Sequence, residues 1–211
     1  MNRKLLGGVC GLVGIIISVV WIAGGIAVAP NFSITQNWIS DLAGMGFTSV
    51  IRPNVTTPTT QLIFHGGIII TGLTSIVFAL GVLSDAHDSI ISRQTLYRRG
   101  AEILLIGMVA TIFVGFFPET VLSGAVHMGF AVVSFACMIA AASLIGIAFL
   151  PRSISAPRSK YFGGFSIIMA VIMLSGILQF YTLKGLGELI LIASQEAWVL
   201  VMSIRLLRGE K

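Results

Sequence analysis

Six stretches of about twenty mostly apolar residues constrain this chain more than any other feature of its sequence. They lie at about 5–29, 61–83, 99–117, 121–150, 161–181 and 185–207. Twenty residues of α-helix extend about 30 Å, the thickness of a bilayer's hydrocarbon core. Within that layer a chain must satisfy its own backbone hydrogen bonds, and apolar runs of this length do so as helices. The sequence therefore predicts an all-α fold, a polytopic membrane helical bundle of about six transmembrane helices forming one domain over 1–211. Composition excludes the soluble alternative. Of the residues 56% are hydrophobic and 10% charged, and the mean hydropathy is +1.00. A soluble domain carries about 25% charged residues.

The first run follows the basic opening Asn2-Arg3-Lys4, and Ala27-Val28-Ala29 resembles a cleavage site. Its apolar stretch exceeds the roughly 7–15 residues of a signal sequence, and Pro30 would follow the cut. It reads as an uncleaved first helix. Along it Gly7, Gly11, Gly14, Ser18 and Gly25 share one face, a seam of small residues on which a neighbouring helix can approach closely. Residues 30–60 form the one long polar segment. It contains two glycosylation sequons, at Asn31 and Asn54, and the run Trp38-Ile39-Ser40-Asp41-Leu42. Those interleaved apolar residues predict an ordered helical turn lying on the bundle's outer end.

The net charge is +5, but the basic residues do not form the single patch that nucleic acid requires. They gather in alternate connections: Arg3 and Lys4; Arg93, Arg98 and Arg99; Arg152, Arg158 and Lys160; Arg205, Arg208 and Lys211. The remaining connections hold only Arg52 and Lys184. The positive-inside rule then places both termini in the cytoplasm (N-in/C-in) and the sequons outside a cell membrane. Cys10 and Cys137 both lie in apolar runs, which argues against a disulfide framework or a cysteine metal site.

Ionisable groups inside a bilayer are costly and often functional, so the few present define the candidate sites. On the outer side these are Ser40, Asp41, Glu119, His127 and Glu188, with His65 at a depth similar to that of His127. Glu196, with Gln195 beside it, lies near the middle of the sixth helix. The plainer reading makes Glu119 a helix cap, His127 a buried hydrogen-bonding residue and Glu196 a partner in an interhelical hydrogen bond. Two histidines at one level would suit haem, or zinc if a carboxylate joined them. No HxxxH or HExxH spacing supports that reading, which leaves the cofactor unknown and no metal site assigned. Asp85, His87 and Asp88 read as a solvated cytoplasmic turn. The glycine pairs lie in helices without a nucleotide-binding context, and no serine nucleophile elbow is present.

Trp38-Ile39-Ser40-Asp41-Leu42-Ala43-Gly44, Gly115-Phe116-Phe117-Pro118-Glu119 with His127, and Gly187-Glu188 with Trp198 and Arg205-Leu206 resemble the domain-of-unknown-function family 998. More distantly, the Ser-Asp-Leu loop and His127 look like the Frag1/DRAM/Sfk1 membrane family. The resemblance implies six helices and a grouping of Ser40, Asp41, Pro118, Glu119 and His127 at the outer end. It implies Asn near position 65, where this chain has His65.

Three functional readings follow. The first is a lipid- or small-molecule-binding module, or a subunit of a membrane assembly with membrane lipid and other subunits as partners. The second is an intramembrane lipid-modifying hydrolase or transferase using Asp41, Glu119 and His127. The third is a proton-coupled carrier using Glu196. No complete catalytic constellation can be assembled from the sequence, which favours the first.

Overall fold

The computed structural model of the chain describes residues 2–44, 55–89, 91, 93–117, 124–150 and 157–209, with the backbone alone at 157–159. The helices are α1 (Arg3–Val28), α2 (Pro58–Asp88), α3 (Gln94–Phe116), α4 (Ala125–Phe149), α5 (Pro157–Leu178), the single turn α6 (Phe180–Leu183) and α7 (Gly185–Arg208). A 3-10 turn, Ile39–Ala43, lies between α1 and α2. All of these helices except α6 include stretches long and apolar enough to cross a membrane, six spans among the described residues.

The spans close into a ring in chain order. Each packs on the next, and α7 packs on both α5 and α1. The interior is filled by one hydrophobic cluster that includes Phe78, Tyr97, Met138, Met173, Trp198 and Met202. Trp198, fully buried, places its indole N–H 3.1 Å from Ser166 Oγ of α5. Outward, every span presents bulky apolar side chains: Ile16, Leu62, Ile106, Val132, Val171 and Leu200 are all exposed. A helix apolar on both faces belongs in hydrocarbon, and this is a multi-pass membrane protein.

The small-residue seam sets the closest helix pair. Gly7, Gly11, Gly14, Ser18 and Gly25 are all buried. A Cβ on Gly7 would lie 2.6 Å from Gly81 Cα, one on Gly14 would lie 3.0 Å from Thr74 Oγ1, and one on Gly25 would lie 3.8 Å from Ile63. Ascending numbers on α1 thus meet descending numbers on α2, so the pair is antiparallel. On its other side, Gly8 abuts Leu207 of α7. Both termini therefore sit at one end of the bundle, the terminal end. The 3-10 turn sits at the opposite, loop end.

The fifth span, expected at about 161–181, instead ends at Leu178 before the separate turn α6. The two boundaries that differ most, the end of α2 and the start of α3, do so for one reason. Hydropathy stops a span at its first charge, whereas helical hydrogen bonding runs on. Helix α2 continues through Asp85, His87 and Asp88. Its last carbonyls accept from Gln94 Nε2, at 3.2 Å for Ala86 and 3.0 Å for His87. Likewise α3 begins at Gln94, so Arg98 and Arg99 lie inside it and pair with Glu102 at 3.0 Å and 2.8 Å. These exposed pairs add little, because water screens them. The start of α2 is set by a capping box: Thr57 and Thr60 exchange backbone and side-chain hydrogen bonds (2.8 and 3.1 Å) around Pro58 at the first helical position.

Candidate functional site

At the loop end the polar residues hold the connection onto the helices. The Asp41 carboxylate accepts from the backbone N–H of Trp38 (3.0 Å) and from Asn37 Nδ2 (3.4 Å), closing its own 3-10 turn. Glu188, in the first turn of α7, accepts from the backbone N–H groups of Ile39 and Ser40. Both carboxylates are buried. Orphan N–H groups at the start of a helical turn need acceptors, and a buried one left without costs about 1–3 kcal/mol. Glu188 supplies that acceptor from 149 residues away. Trp38 adds a bond from Nε1 to the Phe180 carbonyl (3.2 Å) and stacks on the Phe180 ring. Thr56 Oγ1 donates to the Asp41 carbonyl (2.6 Å) and ties the chain entering α2 to the same turn. Beneath it, Ile39, Leu42 and Ala43 bury themselves against Trp21, Ile22 and Phe64.

The two histidines flank one aromatic ring. Phe64 meets His65 edge-on at 5.6 Å and His127 at 6.2 Å between centroids. His65 places Nδ1 2.8 Å from the Gly115 carbonyl and Nε2 3.3 Å from the Ala43 carbonyl, bridging α3 to the 3-10 turn. His127 is buried, with Nδ1 3.0 Å from the Phe117 carbonyl. Of the candidate residues read from the sequence, Ser40, Asp41, His65, His127 and Glu188 thus gather at one end: the side chains of Asp41, His65, His127 and Glu188 bond to backbone, and Ser40 is bound through its own N–H by Glu188. Glu119, Pro118 and Asn54 lie outside the described residues. Asn31 is exposed just beyond α1 with a left-handed φ of 58°, a conformation Asn tolerates better than most residues.

The terminal end holds a constellation that the sequence reading missed. Asp85 is not in a solvated turn: it is 5% exposed. Lys4 Nζ lies 3.1 Å from Asp85 Oδ1, Arg205 Nη2 3.3 Å from Oδ2, and Tyr97 Oη donates to Oδ2 at 2.7 Å. The Arg205 guanidinium also lies over Phe149 (4.2 Å) and Phe162 (5.5 Å). One cluster so takes a residue from every span: Lys4, Asp85, Tyr97, Phe149, Phe162 and Arg205. Only Asp88 at its rim, 3.1 Å from Lys4 Nζ, is well exposed. Arg205 is therefore buried, not a flanking anchor. The available signal was its setting, Ile204-Arg205-Leu206-Leu207, apolar on both sides.

The model of a family described as "Protein of unknown function (DUF998)" matches residues 12–205, nearly the whole chain. The chain belongs to that family. No curated protein and no solved structure matches it. The DUF998 match takes in the 3-10 turn, both histidines, Glu188 and Arg205, but begins after Lys4 and Gly7. Nothing matched bears on a likeness to the Frag1/DRAM/Sfk1 family.

Among the described residues of this DUF998 chain, His65 is poorly placed to ligate a haem or zinc. Both ring nitrogens of His65 already face carbonyl oxygens, and a ligand nitrogen must present a free lone pair. Among the described residues no three His, Cys, Asp or Glu side chains are grouped to hold a metal ion. Glu196 is half-buried and lies beside Ser18 of α1, while Gln195 makes no side-chain hydrogen bond among the described residues.

Proposed function

We propose that this protein acts by binding, as a lipid- or small-molecule-binding module or as a subunit of a membrane assembly. The observation that carries the reading is how the loop-end polar groups are used. Asp41, Glu188 and His65 all serve backbone groups of their own fold. A general acid or base must instead reach a proton on the substrate. That use of the side chains weighs against the hydrolase or transferase reading.

Orientation belongs to the same proposal. Among the described residues Arg3, Lys4, Arg93, Arg98, Arg99, Lys160, Arg205 and Arg208 all sit at the terminal end, and Lys184 alone at the loop end. By the positive-inside rule the termini face the cytoplasm and the loop end faces outward across the cell membrane. Asn31 then stands where a glycosylating host can modify it. On a Cys10→Ser, Cys137→Ser background, Thr35→Cys is expected to react with an impermeant maleimide on intact cells, and His87→Cys only after lysis. The reverse pattern overturns the orientation.

Glu188 separates binding from catalysis. Glu188→Ala leaves the N–H groups of Ile39 and Ser40 without their acceptor, an expected loss of about 2 kcal/mol or more, read as earlier thermal unfolding in detergent. Glu188→Gln keeps an acceptor and should lose distinctly less. Native mass spectrometry of the detergent-released protein is expected to show retained lipid or partner chains. Turnover of an added phospholipid or lipid-linked glycan, abolished in Asp41→Asn or His127→Ala proteins that remain folded, sinks the binding reading.

A further inference from the structure

We infer that the junction of α1, α2 and α7 holds a hydrated protonation site, in which bound water joins Trp21 and Thr71 to the Ser18–Glu196 pair and the exchangeable ligand is a proton. This inference stands apart from the binding reading above and involves none of the loop-end polar residues; Trp21 alone is shared, as part of the apolar cluster beneath the 3-10 turn.

The placement follows from helix register. Glu196 of α7 lies beside Ser18 of α1 near the midpoint of both helices. One turn along α1, the Trp21 indole lies across Gly67 of α2, where its Cδ1 would be 2.6 Å from an added Cβ. Thr71 follows Gly67 by one turn and lies level with Ser18, between the Trp21–Gly67 and Gly14–Thr74 contacts. Helical side chains lean toward their own N-terminus. Because α1 runs against α2 and α7, this lean brings Trp21 toward the level of Ser18 and brings Thr71 and Glu196 toward Trp21.

Two of these groups lack something to bond. Trp21 is 8% exposed, and neither its Nε1 nor the buried Thr71 Oγ1 has a hydrogen-bond partner within the protein. In hydrocarbon no solvent is at hand, and each orphan is expensive. The occupant is constrained by chemistry. An indole N–H only donates, so a metal cation is disfavoured beside it. Water accepts from the indole, exchanges bonds with the Thr71 and Ser18 hydroxyls, and donates to a carboxylate. A water with two to four such partners is a normal buried water. Its presence lets Glu196 release and regain a proton at mid-depth, which a dry carboxyl beside one serine cannot do. No other Asp, Glu, His, Lys or Arg faces this level from the elements packed here: α1 has none beyond Lys4, α2 none between His65 and Asp85, and the described part of α5 none beyond Lys160.

The full chain in lipid nanodiscs provides the test, with dicyclohexylcarbodiimide as the probe, since a protonated carboxyl group in apolar surroundings gives it a proton and adds to its central carbon. Mass spectrometry is expected to find the label on Glu196, declining through a midpoint as pH rises, and absent from folded Glu196→Gln protein. Thr71→Val deletes one polar atom and keeps the shape, whereas Trp21→Phe deletes the indole N–H together with part of the ring. Each is expected to shift that midpoint by about one pH unit, the size of one hydrogen bond to a charged group, and Thr71→Val to lower the unfolding temperature. Should a variant fail to fold, Ser18→Ala gives the same readout. If labelling is independent of pH, or if Thr71→Val raises the unfolding temperature as deletion of a wasted polar atom would, the site is dry and the inference is overturned.

Discussion

Replacing Asp85 with alanine is expected to cost about 3–5 kcal/mol, the range for removing one partner of a buried ion pair. The reason is what remains behind. Arg205, 9% exposed, loses the carboxylate 3.3 Å away, and the fully buried Tyr97 hydroxyl loses its acceptor at 2.7 Å. Lys4 is affected less, because Asp88 still lies 3.1 Å from its ammonium. Most natural domains have only about 5–15 kcal/mol in hand, so the variant should unfold at markedly lower temperature in detergent. Arg205→Met should be milder. It keeps an apolar stem against Phe149 and Phe162, and Asp85 retains both Lys4 and Tyr97. The Asp85→Asn, Arg205→Met double variant should then recover part of the Asp85→Ala loss, since replacing a buried pair entirely is often close to neutral. A loss of stability no greater for Asp85→Ala than for exposed Asp88→Ala would show that the cluster contributes little.

That cluster also shows where a linear reading stops. The six spans were legible because crossing hydrocarbon demands length and apolarity, and both are local properties. The seam on α1 was legible too, because small residues at helical spacing have few other uses. Spacing within the 30–60 segment exposed the 3-10 turn, since Trp38, Ile39 and Leu42 had to bury themselves somewhere. What the sequence hid was pairing. Asp85 looked solvated because its neighbours His87 and Asp88 are, and both of those are indeed exposed. Its actual partners lie at positions 4, 97 and 205, brought together only when the ring closes. Glu188 was visible as an unusual carboxylate, but its acceptor role depends on two amides at the opposite end of the sequence. For Glu196 depth alone raised the expectation of a polar partner on a neighbouring helix. Its neighbour Ser18, and the orphaned Trp21 and Thr71, required register.

Gly7→Ala should be the most damaging single-methyl addition on α1. The new Cβ would sit 2.6 Å from Gly81 Cα and 3.3 Å from the Phe78 carbonyl oxygen. Those are backbone atoms and cannot rotate away, so the helices must separate by about 1 Å to reach ordinary carbon contact of about 3.5–4.0 Å. Overpacking of this kind costs about 1–3 kcal/mol, and Gly7→Val should cost more. The separation also has a second consequence. Lys4 and Asp85 flank the same contact, one turn from Gly7 and Gly81 respectively, so parting the helices stretches their 3.1 Å bridge. The two defects should therefore couple. Gly7→Ala combined with Asp85→Ala should lose less than the sum of the two alone, by about 0.5 kcal/mol or more. Gly24→Ala and Gly66→Ala are the controls, since an added Cβ at either meets nothing within 4 Å. Both should be neutral or mildly stabilising, because alanine favours the helix by up to about 1 kcal/mol over glycine. Thermal unfolding of these variants in one detergent decides the matter. If Gly7→Ala proves as harmless as Gly24→Ala, α1 and α2 do not meet backbone to backbone, and the register that places Ser18 opposite Thr71 falls with that contact.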